Sequence, residues 1–235
     1  QALITQVHPD DCAAIIFEPV QGEGGFIPLH PDYLKRMQDL ARANKIVLIA
    51  DEIQSGYGRT GTFFACKQLG IEPDLILAGK SMAAGLPISA VIGRREILDA
   101  PPDSTIGGTY VGNPVACAAA NAVLDVFEEE HLCDRARVIG DVFQSRFEAL
   151  ADELASMQSP RLLVGDIRGL GAMVGVEFVR DIATKEPATD GVNEIMQRAI
   201  SRGVITVKCG IYGNVLRIKP PMCITRDDVA FILDA

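Results

Sequence analysis

The stretches KIVLIADE, residues 45–52, and LILAGK, residues 75–80, decide the fold class of this chain. Each contains a continuous run of apolar residues, and a charged side chain follows each run: Asp51 in the first stretch and Lys80 in the second. Short continuous apolar runs are typical of strands that are buried on both faces of a parallel sheet. We therefore expect two strands of an α/β protein, each with a charged residue at its carboxyl end.

The same pattern extends outward from these two stretches. Further strand-like runs occur at residues 13–20 and 89–93, and helix-like segments occur at residues 32–44 and 63–69. Alternation of strands and helices predicts an open, mostly parallel sheet. Because ligands of such sheets bind outside the carboxyl ends of the strands, Glu18 joins Asp51 and Lys80 as a candidate functional residue.

The second half of the chain has a different texture. Asn113 and Pro114 predict the start of a helix, which breaks near His131 and is followed by a second helix. Beyond these helices we expect strands within residues 166–179 around a turn at 168–171, a helix at 189–202, strands near 204–207 and 215–218, and a last helix capped by Thr225. The change predicts a large-domain portion at residues 1–125 and a smaller α+β domain, with truncated last helices, at residues 126–235.

Composition excludes several classes of partner. The 235 residues carry 22 Lys and Arg against 31 Asp and Glu, a net charge of −9, which argues against binding to nucleic acid or to an anionic membrane. No apolar run reaches the roughly 18–20 residues of a membrane-spanning helix. The six cysteines show neither a CxxC pair nor a partnering histidine spacing, so we expect no metal site and a reducing, cytoplasmic location. Because the chain opens at Gln1 and stops at Ala235 inside a predicted helix, we expect it to be a segment of a longer polypeptide.

Lys80 and Asp51 suggest a specific chemistry. Lys80 follows a strand and has only small neighbours, so its amine is either partly desolvated and able to form a Schiff base, or simply exposed at a strand end. A carboxylate beside such a lysine could keep the ring nitrogen of pyridoxal phosphate protonated, so that the ring withdraws electrons. Asp51 is placed to do this if the two strands are neighbours.

A nucleotide-binding P-loop is the sharpest rival interpretation. The apolar run before Asp51-Glu52 resembles a Walker B strand, and Gly79-Lys80-Ser81 resembles the end of a Walker A loop. The Walker A loop, however, requires a glycine where this chain has Asp74, and the lysine comes after the acidic strand instead of before it. An ATPase is therefore disfavoured.

Two further positions are informative but ambiguous. Arg217 lies within an apolar run, where an unpaired charge is costly, so it needs an acid from the protein or from a substrate. Thr109 follows Gly107-Gly108, which suits phosphate binding but could equally be an ordinary loop.

Together these stretches resemble the class III aminotransferases, pyridoxal-phosphate enzymes of fold type I. The motifs that carry the resemblance are FEPVQGEGG (17–25), ADEIQSGYGRTG (50–61), GKSMAAGLP (79–87), GTYVGNP (108–114) and NVLRIKPP (214–221). Within the family, RGLGAM (168–173) and CGIYGNVLR (209–217) are most similar to 4-aminobutyrate aminotransferases. The resemblance implies the mostly parallel large-domain sheet of fold type I and a smaller α+β domain.

The resemblance also assigns roles around the coenzyme. Lys80 would form the Schiff base with pyridoxal phosphate and transfer the proton, and Asp51 would pair with the ring nitrogen. Ile53 would pack on the ring face, and Gln54 would bond the ring hydroxyl. Thr109 would reach the phosphate of the neighbouring subunit's coenzyme, which implies a homodimer.

A third group of residues would bind substrates. Arg217 would bind the α-carboxylate of glutamate or 2-oxoglutarate, Glu23 would cover Arg217 when a substrate lacks that group, and Glu18 would line the same pocket. The implied reaction moves an amino group from an ω-amino acid to 2-oxoglutarate. Acetylornithine, ornithine or β-amino acid–pyruvate transfer and a non-catalytic relative remain as alternatives. The family's N-terminal part, with its phosphate loop and ring-stacking aromatic residue, has no counterpart here, so we expect residues 1–235 alone to bind coenzyme weakly and to be inactive.

Overall fold

The computed structural model describes residues 8–235. The strands are β1 (Ala14–Phe17), β2 (Val20–Gln21), β3 (Ile27–Pro28), β4 (Val47–Asp51), β5 (Leu75–Ala78), β6 (Ala90–Gly93), β7 (Leu163–Leu170), β8 (Met173–Val179), β9 (Val207–Cys209) and β10 (Val215–Ile218). The helices are α1 (Pro31–Ala43), α2 (Ala65–Gln68), α3 (Arg95–Leu98), α4 (Pro114–Glu129), α5 (Leu132–Ser156), α6 (Thr189–Ser201) and α7 (Arg226–Asp234), with short 3-10 helices at Pro9–Asp11 and Lys80–Ala83. Among these residues, no helix combines the length and the apolar character that crossing a membrane requires.

The chain divides into two compact units, each built from separate segments. The first unit holds the described residues up to Pro19, together with Leu29–Gly58 and Thr62–His131. The second unit holds Val20–Pro28, Arg59–Gly61 and Leu132–Ala235. The assignment of domains to residues 1–125 and 126–235 stays a prediction.

The sheet of the first unit has the order β1-β4-β5-β6. β1, β4 and β5 are parallel, with Phe17 opposite Ala50 and Asp51 opposite Leu77, so the predicted mostly parallel sheet is confirmed. β6 runs antiparallel to β5, a direction that the sequence pattern did not reveal. A parallel neighbour needs a crossover of about a dozen or more residues, usually a full helix. Residues 79–89 provide only a four-residue 3-10 helix, so the chain turns back on itself.

Helix α1 covers β4 and fixes its depth in the sheet. Leu34, Met37 and Ala41 recur at helical spacing and are buried in one cluster with Leu48 and Ala50 of the strand. Burial of each large aliphatic side chain stabilises the fold by about 1.5–3 kcal/mol. The apolar part of β4 is thereby held in the core, and the strand becomes polar only at its carboxyl end.

The second unit contains an antiparallel sheet in the order β7-β8-β10-β9. The turn between β7 and β8 lies at residues 171–172, not at 168–171 as predicted, because Arg168 and Leu170 are still paired with β8. Gly171 adopts a φ of +52°, which a tight two-residue turn requires and glycine allows. Strand β9 also begins later than predicted, since the N–H groups of Gly203 and Val204 bond back to helix α6.

Segment Val20–Pro28 lies against one face of this second sheet. Its strands β2 and β3 form a small antiparallel pair, and Val20 and Phe26 are buried in a cluster with Met173, Cys209 and Val215. Helix α5 packs against β7 and β8, and α6 packs against β8 and β10. The residues between β2 and β3 are therefore held close to the sheet that carries Arg217.

Candidate active site

Three charged residues lie at or just beyond the carboxyl ends of strands in the parallel sheet. Glu18 directly follows β1, whose Phe17 is opposite Ala50 of β4. Asp51 is the last residue of β4 and is opposite Leu77 of β5. Lys80 follows three positions after Leu77 in the chain. The parallel register therefore places Glu18, Asp51 and Lys80 at the carboxyl ends of adjacent strands, where ligands of such sheets bind.

Lys80 has an exposed side chain and a strained backbone. It begins the 3-10 helix Lys80–Ala83 with a φ of +48°, a left-handed conformation that is uncommon for a residue with a side chain. The small neighbours of Lys80 left two interpretations, a partly desolvated amine or an exposed one. Among the described residues 8–235, its side chain is exposed. Within that range its amine makes neither a hydrogen bond nor an ion pair. Strain of this kind clusters at functional sites.

Asp51 is held beside the residue that the resemblance places on the ring face. Its Oδ1 accepts a hydrogen bond from the N–H of Ile53 over 3.0 Å, and its side chain is half-buried. Ile53 in turn lies next to Gly79, since a Cβ built on that glycine would be 3.7 Å from two of its carbons. Gln54 is half-buried in the following turn. One short segment thus links the carboxylate of β4 to the residue before Lys80.

The donor set fits an aldehyde coenzyme with a basic ring nitrogen. An amine without a partner among the described residues can condense with an aldehyde, and a half-buried carboxylate can bond a protonated ring nitrogen. Thr109, by contrast, lies exposed in the turn that precedes α4. Its contact with a neighbouring subunit's coenzyme stays a prediction.

Glu52 is a residue whose importance the sequence did not reveal. Its side chain is only 1% exposed, and its carboxylate accepts hydrogen bonds from Ser55 Oγ at 2.6 Å, the Ala65 N–H at 3.0 Å and the Cys66 N–H at 2.7 Å. Burial, together with the neighbouring Glu52 charge, raises the pKa of the Cys66 thiol. Glu52 is therefore a structural carboxylate, which closes the loop after Asp51 onto α2. The only sign of this role in the sequence is that Glu52 is acidic and lies next to the candidate Asp51.

In the second unit, Arg217 finds the acidic partner that its place in an apolar strand required. Its Nη1 donates to Oε1 of Glu23 over 2.5 Å, and its side chain is 19% exposed against 72% for Glu23. The guanidinium carbon also lies 6.0 Å from the centre of the Phe26 ring. This is the pair that the resemblance implies. The placement of Glu18 in the same pocket as Arg217 stays a prediction.

Arg59 lies in the motif ADEIQSGYGRTG (50–61), but the sequence predicts no role for it. It is 7% exposed, and its Nη1 donates to the carbonyl oxygens of Ala172 at 3.3 Å and Pro220 at 2.5 Å. Burial lowers its pKa to about 10, and its Nε has no hydrogen-bond partner among the described residues. Arg59 thus ties the β7–β8 turn to the segment that follows Arg217. Only the tertiary structure reveals this bridge.

A groove of about 800 Å³ opens in the second unit beside α5, α6 and α7. Its walls are largely apolar, with Phe143, Leu154 and Ile195 among them, and none of Glu18, Asp51 and Lys80 lines it. Arg217 and four other cationic side chains also line the groove, namely Arg146, Arg198, Arg202 and Lys219. The groove therefore lacks the two acids and the lysine of the strand-end site, although it reaches Arg217.

Comparison with known proteins gives relatives that agree with one another. A 5-aminovalerate aminotransferase, DavT, of Pseudomonas putida is 48% identical over 215 residues, which are 92% of this chain and 49% of the relative. The 4-aminobutyrate aminotransferase GabT of Escherichia coli is 46% identical over 216 residues, again 92% of this chain and 49% of the relative. The chain therefore spans about half the length of the curated relatives that it matches.

Solved structures confirm the fold. An ornithine aminotransferase of Toxoplasma gondii superposes with a TM-score of 0.82 and 35% identity, covering 97% of this chain and 50% of that protein. An amine transaminase of an uncultivated Pseudomonas species, in its PLP-bound form, superposes with a TM-score of 0.86 and 32% identity, covering 98% of this chain and 52% of that protein. The α/β architecture of fold type I expected from the resemblance is confirmed. The family model for "Aminotransferase class-III" matches residues 1–235, and the chain belongs to this family.

Proposed function

We propose that this chain supplies the lysine-bearing part of a transaminase that moves an amino group from an ω-amino acid to a 2-oxo acid. The observation that supports the proposal is the parallel register of two neighbouring strands, of which one ends at Asp51 and the other ends two residues before Lys80. The names of the relatives, aminotransferases of 5-aminovalerate and 4-aminobutyrate, support the donor class. The acceptor proposed is 2-oxoglutarate.

Pyridoxal phosphate fits the residues present and is the proposed cofactor. When bound, it supplies an aldehyde that condenses with amines and a ring that withdraws electrons from the substrate. Lys80 would hold it covalently and would move the proton in the transfer step, while the carboxylate of Asp51 would keep the ring nitrogen protonated. Ile53 would pack on the ring face, and Gln54 would bond the ring hydroxyl. Thr109 would bond the phosphate across a homodimer, which is itself a proposal, as is the cytoplasmic location.

Arg217 and Glu23 together let one site accept two kinds of substrate. A glutamate donor or 2-oxoglutarate brings an α-carboxylate, which bonds the Arg217 guanidinium in place of Glu23. An ω-amino acid brings a methylene group to that position, and an uncompensated arginine would be costly there. Glu23 then supplies the missing negative charge. Its contact with Arg217 is the arrangement suited to an ω-amino donor.

Ornithine and acetylornithine transfer are the second candidate. The ornithine and acetylornithine aminotransferases among the similar structures are 35% and 30% identical to this chain, less than the 4-aminobutyrate and 5-aminovalerate enzymes. The family match gives no support to a P-loop ATPase. A panel of donors, namely 4-aminobutyrate, 5-aminovalerate, ornithine and acetylornithine, with either 2-oxoglutarate or pyruvate, decides the substrate. Preference for ornithine or for pyruvate would contradict the proposal.

Covalent trapping tests the site assignment. The holoenzyme is treated with borohydride, which fixes the coenzyme on the amine that holds it, and the labelled peptide is then mapped. We expect label at Lys80, no label in Lys80→Ala, and unchanged labelling in Lys67→Ala, which removes an exposed lysine of the same unit. Label at another lysine would overturn the role of Lys80.

A further inference from the structure

Arg168 and Arg217 belong to one row that crosses the second sheet. Arg168 of β7 is opposite Gly175 of β8, and Gly175 is also opposite Arg217 of β10. Residues that are directly opposite in a sheet project to the same face. The two arginines therefore flank a glycine on the face that segment Val20–Pro28 covers.

The missing side chain of Gly175 leaves room for the segment that carries Glu23. A Cβ on Gly175 would lie 3.0 Å from the Cβ of Phe26 and 3.2 Å from the carbonyl oxygen of Gly25. Phe26 is fully buried, and Gly25 adopts a φ of +127°, which favours glycine. The backbone of residues 22–26 is therefore packed directly on the sheet between the two arginines.

The two arginines bond this segment in different ways. Arg168 bonds its backbone, since Nε donates to the carbonyl oxygen of Gly25 over 2.8 Å. Arg217 bonds a side chain, the exposed carboxylate of Glu23. A second backbone bond runs from the Gly210 N–H to the carbonyl oxygen of Glu23 over 2.9 Å. Loss of the Arg217–Glu23 contact would thus leave both backbone bonds in place.

Arg168 also carries its own acids. Its Nη1 donates to Glu177 at 2.6 Å and to Asp166 at 2.8 Å, and its side chain is 15% exposed. Burial alone would lower the pKa of the Arg168 guanidinium, but the bonds to Asp166 and Glu177 outweigh it and raise the pKa. Because its charge is already balanced, Arg168 does not compete with Arg217 for Glu23 or for a substrate carboxylate.

We propose that Arg168 is a positioning residue, which fixes the backbone of residues 22–26 so that Glu23 engages and leaves Arg217 by rotation of its side chain alone. This inference rests on the proposed function, in which Glu23 covers Arg217 during transfer from an ω-amino acid. Without the bond from Arg168 to Gly25, residues 22–26 keep the backbone bond from Gly210 to Glu23 and the packing of Phe26. The Gly25 end of the segment can then shift, and Glu23 is less often placed to neutralise Arg217. Donors without an α-carboxylate should suffer most, because donors with one bring their own partner for Arg217.

Two substitutions of Arg168 separate the anchor, which is its hydrogen bond to the carbonyl oxygen of Gly25, from its ion pairs with Asp166 and Glu177. Arg168→Met removes the anchor and the ion pairs. Arg168→Lys keeps a positive charge beside Glu177 and Asp166 but lacks the Nε–H that bonds Gly25, so it remains testable if the methionine variant does not fold. Asp166→Asn is the matched control, since it weakens the more exposed ion pair and leaves the bond to Gly25 intact.

The first readout is donor selectivity in the holoenzyme. We expect kcat/KM for 4-aminobutyrate to fall about tenfold relative to kcat/KM for glutamate in Arg168→Lys and at least as much in Arg168→Met, with the ratio unchanged in Asp166→Asn. A tenfold change corresponds to about 1.4 kcal/mol, just below the range for a hydrogen bond to a charged group. An equal loss of kcat/KM for both donors, or no loss for either, would overturn the proposed role of Arg168.

The second readout does not depend on activity. Hydrogen exchange followed by mass spectrometry reports on the amides of Gly25 and Phe26, which bond the carbonyl oxygen of Gly22, and on the amide of Gly210. We expect faster exchange in Arg168→Lys than in the parent protein, and no change in Asp166→Asn. If the parent transfers from neither donor, the proposed function fails while this measurement still decides the anchor; unchanged exchange in the lysine variant rejects it.

Discussion

Arg217 and Glu23 are 194 positions apart in the chain, and Nη1 of the arginine lies 2.5 Å from Oε1 of the glutamate. The contact joins strand β10 to the residues between β2 and β3, all within the second unit. A half-buried cation is balanced by an acid that is itself largely exposed. Such a partner can be exchanged for a substrate carboxylate at little cost in desolvation.

Glu23→Gln should alter the choice of donor more than the overall rate. The amide still accepts a hydrogen bond from Arg217 but supplies no charge. We expect kcat/KM for 4-aminobutyrate to fall roughly tenfold, about 1.4 kcal/mol, relative to that for glutamate. Steady-state kinetics with both donors measure the ratio. Glu186→Gln, which changes another exposed glutamate near an arginine of the same unit, is the control, and a ratio that moves equally in both variants would contradict the role of Glu23.

Glu52→Gln should destabilise the first unit. The carboxylate accepts three hydrogen bonds while nearly fully buried, and the amide nitrogen of glutamine would face at least one of those donors. We expect the free energy of unfolding to fall by about 1–3 kcal/mol, measured by urea denaturation. Glu72→Gln, which breaks an exposed pair with Arg42, should cost about 0–1 kcal/mol. Similar losses in the two variants would show that Glu52 is not a buried structural acid.

Two helical glycines should respond differently to substitution by alanine. In an exposed helix interior, Gly→Ala stabilises by about 0.5–1 kcal/mol. A Cβ on Gly140 of α5 would lie 2.1 Å from the carbonyl oxygen of Gly171, so Gly140→Ala should instead cost about 1–3 kcal/mol. A Cβ on Gly191 of α6 would have one close contact, the flexible end of Leu162 at 3.0 Å, and ordinary contacts at 3.8 Å with the Cβ atoms of Ala188 and Leu162. Thermal unfolding should therefore show a lower Tm for Gly140→Ala and an equal or higher one for Gly191→Ala; a stabilised Gly140→Ala would refute the close approach.

The cap of helix α7 should make a pH-dependent contribution to stability. Thr225 and Asp228 form a capping box, and the hydrogen bonds from Thr225 lower the pKa of the Asp228 carboxyl below 3.8. Because the pKa of Asp228 is lower in the folded state than in the unfolded state, its ionised carboxylate stabilises the fold. This contribution to stability is complete above the unfolded pKa and is lost as the pH falls through the folded pKa. Asp228→Asn should therefore lower Tm at pH 7 and make progressively less difference below pH 3.8. A pH-independent difference would contradict the ionic part of the cap. Thr225→Ala should cost about 1 kcal/mol.

Local signals in the sequence were sufficient for most elements of secondary structure. The helix start at Asn113 and Pro114 and the cap at Thr225 are confirmed, because a cap is a contact between residues only two or three positions apart. The strands before Asp51 and Lys80 are confirmed for a similar reason, since a continuous apolar run predicts a buried strand wherever it occurs. The sequence alone therefore predicts that Asp51 and Lys80 lie at the ends of strands.

Pairing between distant segments was decided by the tertiary structure. The antiparallel direction of β6, the three hydrogen bonds of Glu52 and the bridge from Arg59 to Ala172 and Pro220 have no local signature. The apolar run around Arg217 indicates that this residue needs an acid, and only a resemblance to a known family suggests Glu23. Strand register then set Arg168, Gly175 and Arg217 in one row and laid residues 22–26 across it. Local residue preferences determine which segments become strands, whereas the neighbours of each side chain depend on how those strands align, and that alignment arises only when the whole sheet forms.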